Sequence, residues 1–350
     1  MLKNGAGPTV MLRTELDALP VEEKTGLPFA STVVIKNAAG QSTPVMHACG
    51  HDLHMAAWTG TARLMAEHRD RWSGTLMMVG QPAEEGLGGA RAMLTDGLFT
   101  RFPKPDYGFA LHVGPGPYGY VAYKPGVINS TSDSFLITFN GKGGQGSRPH
   151  TTIDPVMMAG RFIVDVQSVV SREKDSARFG VVSVGSVNAG NAGNVIPDSA
   201  TLRGTIRSYD DQTRAKLIEG VERTAKAVAM MSAAPEPEIR ITAGAKAVVN
   251  DDALAARSGG VLKAAFGERA RQLSEPGSAS EDYSEFVIAG VPSFYFGIGG
   301  LDPKFIAEAA ANKKSGPGNH SPEFAPVPEP TIRTGAEAMS LVVLDILQKK

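Results

Sequence analysis

The stretch SDSFLITFNGKGG, residues 132–144, decides how the chain is divided. Phe135, Ile137 and Phe139 fall on every second position, and a glycine-rich turn follows. That period marks a strand with one face covered and the other open. Strands earlier and later in the chain read differently. PTVMLR (8–13), GTLMMVG (74–80), DYGFALHV (106–113) and VPSFYFGIGG (291–300) are nearly unbroken apolar, β-branched or aromatic runs. Such runs suit strands covered on both faces, as in a parallel sheet. Between several of them lie segments with apolar residues three and four apart: 53–68 (LHMAAWTGTARLMAEH), 88–97 and 330–348. These read as amphipathic helices. The alternation predicts an α/β fold, a mostly parallel sheet with helices on both faces.

Onward from residue 132 the order changes to strand, helix, strand, strand, helix, strand. DPVMMAGRFIVDVQSVVSRE (154–173) and TRAKLIEGVERTAKAVAMMSA (213–233) read as long helices. FGVVSVGSVNAG (179–190), DSATLRGTIRSYD (198–210) and PEIRITAG (237–244) read as strands. This β-α-β-β-α-β order is the split, ferredoxin-like arrangement. It predicts an α+β domain at 128–244 inserted into an α/β domain made of 1–127 and 245–350. The long helices and a free strand edge predict a homodimer formed through the inserted domain. The 350 residues suit two domains of roughly 150 residues each.

Composition excludes several classes. There are 35 basic and 36 acidic residues, which argues against a nucleic-acid or membrane-surface partner. One cysteine excludes an intrachain disulfide. No apolar run reaches the ~18 residues that span a bilayer, and no signal peptide is visible. The opening MLKNGAGPTVMLR runs from a Gly/Pro turn almost directly into a core strand. That start predicts a missing preceding element. Localisation therefore stays open: cytoplasmic by default, exported if an absent beginning carried a signal peptide.

Residues capable of chemistry cluster just past the apolar strands. Asp17 follows the first, Glu84 and Glu85 of GQPAEEG follow the second, and His112 ends the third. Cys49 and His51, in MHACGHD, precede the 53–68 helix, and His320 lies in a Gly/Pro/Asn loop. Ligands of open α/β sheets bind beyond the carboxyl ends of strands, so these residues are expected to converge. Thiolate, imidazole and carboxylate are the donor set of zinc and other late first-row metals. Cys-x-His without a second CxxC excludes a zinc finger and leaves an open, catalytic site. Taken singly, each residue has an ordinary reading: a buried thiol, a hydrogen-bonded core histidine, a solvated acidic pair, an exposed loop histidine. Their joint placement favours the site. Two adjacent carboxylates also permit a division of labour, one holding metal and one acting as general base. In the same stretch His54 is expected to pack or face solvent, His47 to shape the loop, and Asp52 to cap the helix or support a ligand.

RTELDALP, MHACGHD, GQPAEEG, ALHV, GKGGxxxxPH, NVIPD with a downstream RSY, GSASEDYSEF and NHSPEF occur in this order from about residue 8 to the end. In them the chain resembles the aminoacylase/hippurate hydrolase family of metallopeptidases, in its branch acting on N-acyl amino acids and auxin conjugates. The resemblance implies a metal-dependent amidohydrolase, with a metallo-dipeptidase or carboxypeptidase as the alternative within the family. It implies one or two divalent ions per subunit, manganese or zinc, with cobalt and nickel as alternatives. Their ligands would be Cys49, His51, Glu85, His112 and His320. Glu84 would be the general base, and Asp17 the carboxylate that orients a ligand. The inserted domain would be a lid, with Asn194 and Arg207 binding the substrate carboxylate. Two departures stand out. Relatives carry a histidine where this chain has Gln145, a position tied to the oxyanion and often supplied by the partner subunit. His150 is the candidate to compensate. Relatives also have a helical segment ahead of PTVMLR.

Three rival readings remain at this point. GKGGQG (141–146) matches a dinucleotide fingerprint formally, but Pro149 and Pro155 interrupt the helix it needs. Cys49 with a histidine base would make a thiol hydrolase, leaving the paired glutamates without a task. A metal-binding relative with weakened catalysis would explain Gln145 but not the retained Glu84.

Overall fold

The computed structural model describes residues 1–349 and divides the chain into two units. The first comprises Met1–Ile128, Val248–Pro276 and Asp282–Lys350; the second comprises Asn129–Ala247 and Gly277–Glu281.

The first unit is built on a seven-stranded sheet. Its order is Leu2–Asn4, Gly74–Gln81, Thr9–Glu15, Tyr107–Pro117, Ser293–Leu301, Val121–Tyr123, Ala270–Gln272. The four unbroken apolar runs are its parallel centre. Leu2–Asn4 joins one edge antiparallel, and Val121–Tyr123 runs antiparallel to Ser293–Leu301. Successive side chains of a strand point to opposite faces, and here both faces are covered. Val10, Leu12, Phe109, Leu111, Phe294 and Phe296 share a core with residues of helices His51–Glu67, Asp252–Phe266 and Pro328–Leu347. Met11, Met77, Val79, Ala110 and Tyr295 pack the other way, with Ala90, Leu98 and Phe286 of three short helices. Each such side chain contributes about 1.5–3 kcal/mol when fully buried, which is why the strands have no polar alternation.

Two local features depart from the sequence reading. The first long helix begins at His51, and its N-cap is Gly50, with no side-chain cap. Asp52 therefore does not cap it and lies in the first turn instead. Gly50 sits at φ 83°, and a Cβ there would come within 2.3 Å of the Val113 side chain. Backbone strain and close approach both require glycine. The second feature is helix Asp252–Phe266, which the sequence did not reveal because Ser258, Gly259 and Gly260 interrupt its period. A Cβ at Gly259 would lie 2.4 Å from the Tyr123 ring, so the gap in the pattern is a packing requirement.

The second unit holds a four-stranded antiparallel sheet ordered Gly180–Asn188, Ser199–Ser208, Asp133–Asn140, Glu238–Ala243. Counted along the unit this is 2-3-1-4, the ferredoxin-like order. Phe135, Ile137, Phe139, Leu202 and Ile206 pack against Met158, Phe162, Leu217, Val221 and Val228 of its two helices. The expected 154–173 helix is shorter. It runs Pro155–Asp165, capped by Asp154, and the chain then forms a wider turn at Val169–Glu173, where Lys174 N–H reaches Val169 O at 2.9 Å. No helix follows GKGGQG directly; its Gly144–Gln145 forms a two-residue strand, and a short 3₁₀ turn at Pro149–Thr151 comes next. A Cβ on Gly141 would meet Ile153 O at 2.2 Å, so this glycine serves backbone pairing and the dinucleotide reading fails. Among the described residues no helix is long and apolar enough to cross a membrane.

Candidate metal centre

The loops that leave the parallel strands of the first unit bring Asp17, Cys49, His51, Glu84, Glu85, His112 and His320 together. Donor atoms of Cys49, His51 and Glu85 lie within 4.8 Å of one another. Cys49 Sγ is 3.4 Å from His112 Nε2. His51 Nε2 is 3.9 Å from Glu84 Oε2, and His320 Nε2 is 3.5 Å from Glu85 Oε2. His320 is the most exposed of the set, and it is tied back by its N–H to Ala48 O at 2.8 Å. Its φ of 70° is unusual for a non-glycine residue, as are the 52° values at Ala83 and Leu87 flanking the glutamate pair. Left-handed residues of this kind persist where surrounding structure over-determines them, often at functional sites.

Asp17 orients two of these groups. One oxygen accepts the Glu85 backbone N–H at 3.0 Å. Its carbonyl lies 2.9 Å from His51 Nδ1 and accepts that N–H, so that Nε2 is the bare nitrogen of the neutral ring. His112 is set the same way: Nδ1–H donates to Val113 O at 2.8 Å, and Nε2 faces Cys49. His51 Nε2 and Glu85 Oε1 are buried without a hydrogen-bond partner. Orphaned buried acceptors cost about 1–3 kcal/mol each. Two of them beside a thiol and a second bare imidazole nitrogen fit a divalent cation, and the donor set is that of zinc or manganese-type ions.

Protonation follows from the same crowding. Burial pushes the Cys49 thiol up, reinforced by Glu85 and Glu84. A thiol so held is a poor nucleophile, which argues against the thiol-hydrolase reading. Burial likewise raises Glu85, against the pull of His320. Burial lowers His112 to about 4. Burial alone would also depress His51, but Asp17 and Glu15 carry it up to about 9. Asp17 is held below its ordinary value: burial opposes this, and the His51 hydrogen bond and backbone N–H groups prevail. A bound cation would displace the protons of Cys49 and Glu85 and of His51 Nε2.

The residues assigned from the second unit do not gather at one point of it. Gln145 pairs with Val195, and Gly146 N–H donates to Asn194 O at 2.8 Å, so Gln145 and Asn194 are neighbours. His150 lies in the adjoining turn Pro149–Thr151. Arg207 stands toward the far end of strand Ser199–Ser208, about 26 Å from Ser199 at roughly 3.3 Å per residue. There Arg207 Nη1 donates to Ser280 Oγ at 2.8 Å. Within one chain, Asn194 and Arg207 therefore lie apart in the second unit.

Several site residues were missed from the sequence. Asn319 Nδ2 donates to Cys49 O at 3.1 Å and to Val113 O at 3.0 Å, stapling the His320 loop to the segments that carry Cys49 and His112. Only its place beside His320 hinted at this. His54 packs in the interior: Nδ1 meets Glu15 Oε2 at 2.9 Å, and Nε2 accepts Val113 N–H at 2.8 Å. Arg13 and Glu15 are fully buried, hidden in what read as an apolar strand.

Comparison with known proteins gives a consistent picture. Residues 11–338 match the model of peptidase family M20/M25/M40. Hippurate hydrolase of Campylobacter jejuni is 38% identical over 288 residues, 81% of this chain and 71% of the relative. Thermostable carboxypeptidase 2 of Saccharolobus solfataricus is 34% identical over 358 aligned residues, covering 99% of this chain and 82% of the relative. A crystal structure of a putative aminohydrolase from methicillin-resistant Staphylococcus aureus superimposes with TM-score 0.80 at 30% identity, covering 97% of this chain and 82% of that one. The YXEP protein of Bacillus subtilis, described as a dinuclear metal binding peptidase, gives 0.75 at 28% identity over 99% of this chain and 83% of its own.

Proposed function

Because the chain belongs to peptidase family M20/M25/M40, and is thus a metal-dependent hydrolase of amide bonds, we propose that it cleaves N-acyl amino acids of the hippurate or N-acetyl type. The observation that carries this reading is the pair of orphaned acceptors, His51 Nε2 and Glu85 Oε1, beside Cys49, with Glu84 at their edge. Cys49, His51, Glu85, His112 and His320 would hold one or two divalent ions, zinc or manganese. A cation held there would supply acidification of water and polarisation of the scissile carbonyl. Glu84 takes the proton of the attacking water and returns it to the leaving amine, so that water and amide become carboxylate and amine. Asp17 keeps His51 and the Glu85 backbone in place.

Arg207 offers a planar fork for the substrate carboxylate. Gln145, His150 and Asn194 offer donors for the oxyanion and substrate. Their separation from Arg207 within one chain supports a homodimer formed through the second unit, in which each carboxylate and oxyanion are served by different subunits. The carboxypeptidase relatives support a second reading, cleavage of a C-terminal residue from a peptide, by the same machinery.

The test is metal analysis with turnover of hippurate, N-acetyl amino acids and dipeptides in added Mn²⁺ or Zn²⁺. Chelation by EDTA should abolish activity. Glu84→Gln should retain metal and lose about 10²–10⁴ in kcat, whereas Glu85→Ala should lose metal. The reverse pattern would refute the assignment, and faster dipeptide turnover would select the second reading.

A further inference from the structure

Behind the ligand loops lies a buried charged network that the proposed chemistry does not use. Arg13 and Glu15 sit two residues apart on strand Thr9–Glu15, so both side chains share a face. Arg13 Nη1 pairs with Glu15 Oε1, Nε donates to Gln81 Oε1 at 2.9 Å, and Nη2 donates to Asp282 Oδ1 at 3.2 Å. Gln81 Nε2 and the Ala90 N–H complete the shell of Asp282, at 2.6 and 3.0 Å. The second oxygen of Glu15 meets His54 Nδ1 at 2.9 Å.

His54 has no choice of tautomer. Its Nε2 lies 2.8 Å from the backbone N–H of Val113, a group that can only donate. Nε2 is therefore bare, and the proton is on Nδ1, directed at Glu15. The carbonyl of the same Val113, which belongs to the following peptide, accepts His112 Nδ1–H at 2.8 Å and Asn319 Nδ2–H at 3.0 Å. Donor atoms of Glu15, His51, His54 and His112 lie within 4.8 Å, which by spacing alone could be a cation site. Both nitrogens of His54 are already committed, so His54 has no lone pair to give a metal.

We propose that Arg13, Glu15 and His54 form a positioning relay that fixes the backbone of Val113, and through it aims His112 Nε2 at the metal position beside Cys49. The inference rests on the metal reading above and adds residues to it. A buried ionic array is costly to desolvate, and an apolar isostere would often be at least as stable. An orienting task gives the array a reason to be there, in the manner of outer-shell partners of metal-binding histidines.

The two contacts of His54 separate by substitution. His54→Asn keeps a donor near the Nδ1 position for Glu15 and loses the acceptor for Val113. His54→Gln keeps an acceptor near the Nε2 position. The probe is Co²⁺ alone, titrated into metal-free protein and followed by its visible absorption, alongside urea denaturation. His54→Asn should raise the Co²⁺ Kd about 10–100-fold and shift the cobalt bands, and His54→Gln should do so much less. Wild-type affinity and bands in both variants, whatever their stability, would overturn the relay. Should either variant fold poorly, histidine ¹⁵N spectra of the wild-type chain decide. Added Zn²⁺ should perturb His112 Nε2 and leave His54 as the Nδ1–H form. Zn²⁺ uptake at His54 Nε2 would overturn the proposal. A wild-type chain that binds no Co²⁺ and cleaves no amide would instead bring down the metal reading itself.

Discussion

The two units bury charge in opposite ways. In the first, Arg13, Glu15, His54 and Asp282 are wholly enclosed, in the unit that carries the candidate metal centre. In the second, the sheet and helices meet through apolar side chains, and the buried carboxylate Asp133 is held by Arg214, whose side chain still reaches solvent. A guanidinium that keeps one side in water avoids most of its desolvation cost, and an enclosed one does not. The first unit accepts that cost where ligands must be aimed. The second needs only a platform, and hydrophobic packing suffices.

Substitution can break or sharpen this contrast. The largest effect is expected at Arg13→Met, which leaves Glu15 and Asp282 enclosed without their guanidinium. It should cost about 3–5 kcal/mol, read as a lower urea midpoint of the first unit. Asp133→Asn should cost about 1.5–3 kcal/mol by weakening the two-pronged contact with Arg214, at 2.6 and 2.7 Å. If Asp133→Asn proved the more damaging, enclosure would not be what separates the two arrays. The smallest effect is expected on the exposed face of the second unit. There Arg223 pairs with Glu173 and Glu219 in the open, and Arg223→Ala should change stability by less than about 1 kcal/mol. A larger loss there would mean that surface charge carries weight in the second unit after all.

The architecture was legible because burial leaves a period. Unbroken runs such as TLMMV told of strands covered on both sides, and Phe135-x-Ile137-x-Phe139 told of a sheet covered on one. Helix Asp252–Phe266 escaped because Gly259, needed for contact with Tyr123, and its neighbours Ser258 and Gly260 erased its period. At the centre, Cys49, His51, Glu84, Glu85 and His112 stood out as polar residues at strand ends. Arg13 and Glu15 did not, since a charged pair inside a strand looks like one exposed face. His54 read as a helix residue of no special role.

Sequence alone thus determined the α/β frame, the inserted ferredoxin-like unit, the family and the kinds of donor atoms available. Those are properties of residue type and order, which hydrophobic periodicity and motif spacing record directly. Only the tertiary structure decided which ring nitrogen of His51, His54 and His112 is bare, which acceptors are left orphaned, and that Arg207 meets Ser280 while Asn194 lies beside Gly146. These depend on hydrogen bonds between residues up to 270 positions apart, as with Asn319 and Cys49. No local pattern can encode a partner that distant, because the chain meets it only after the sheet has assembled.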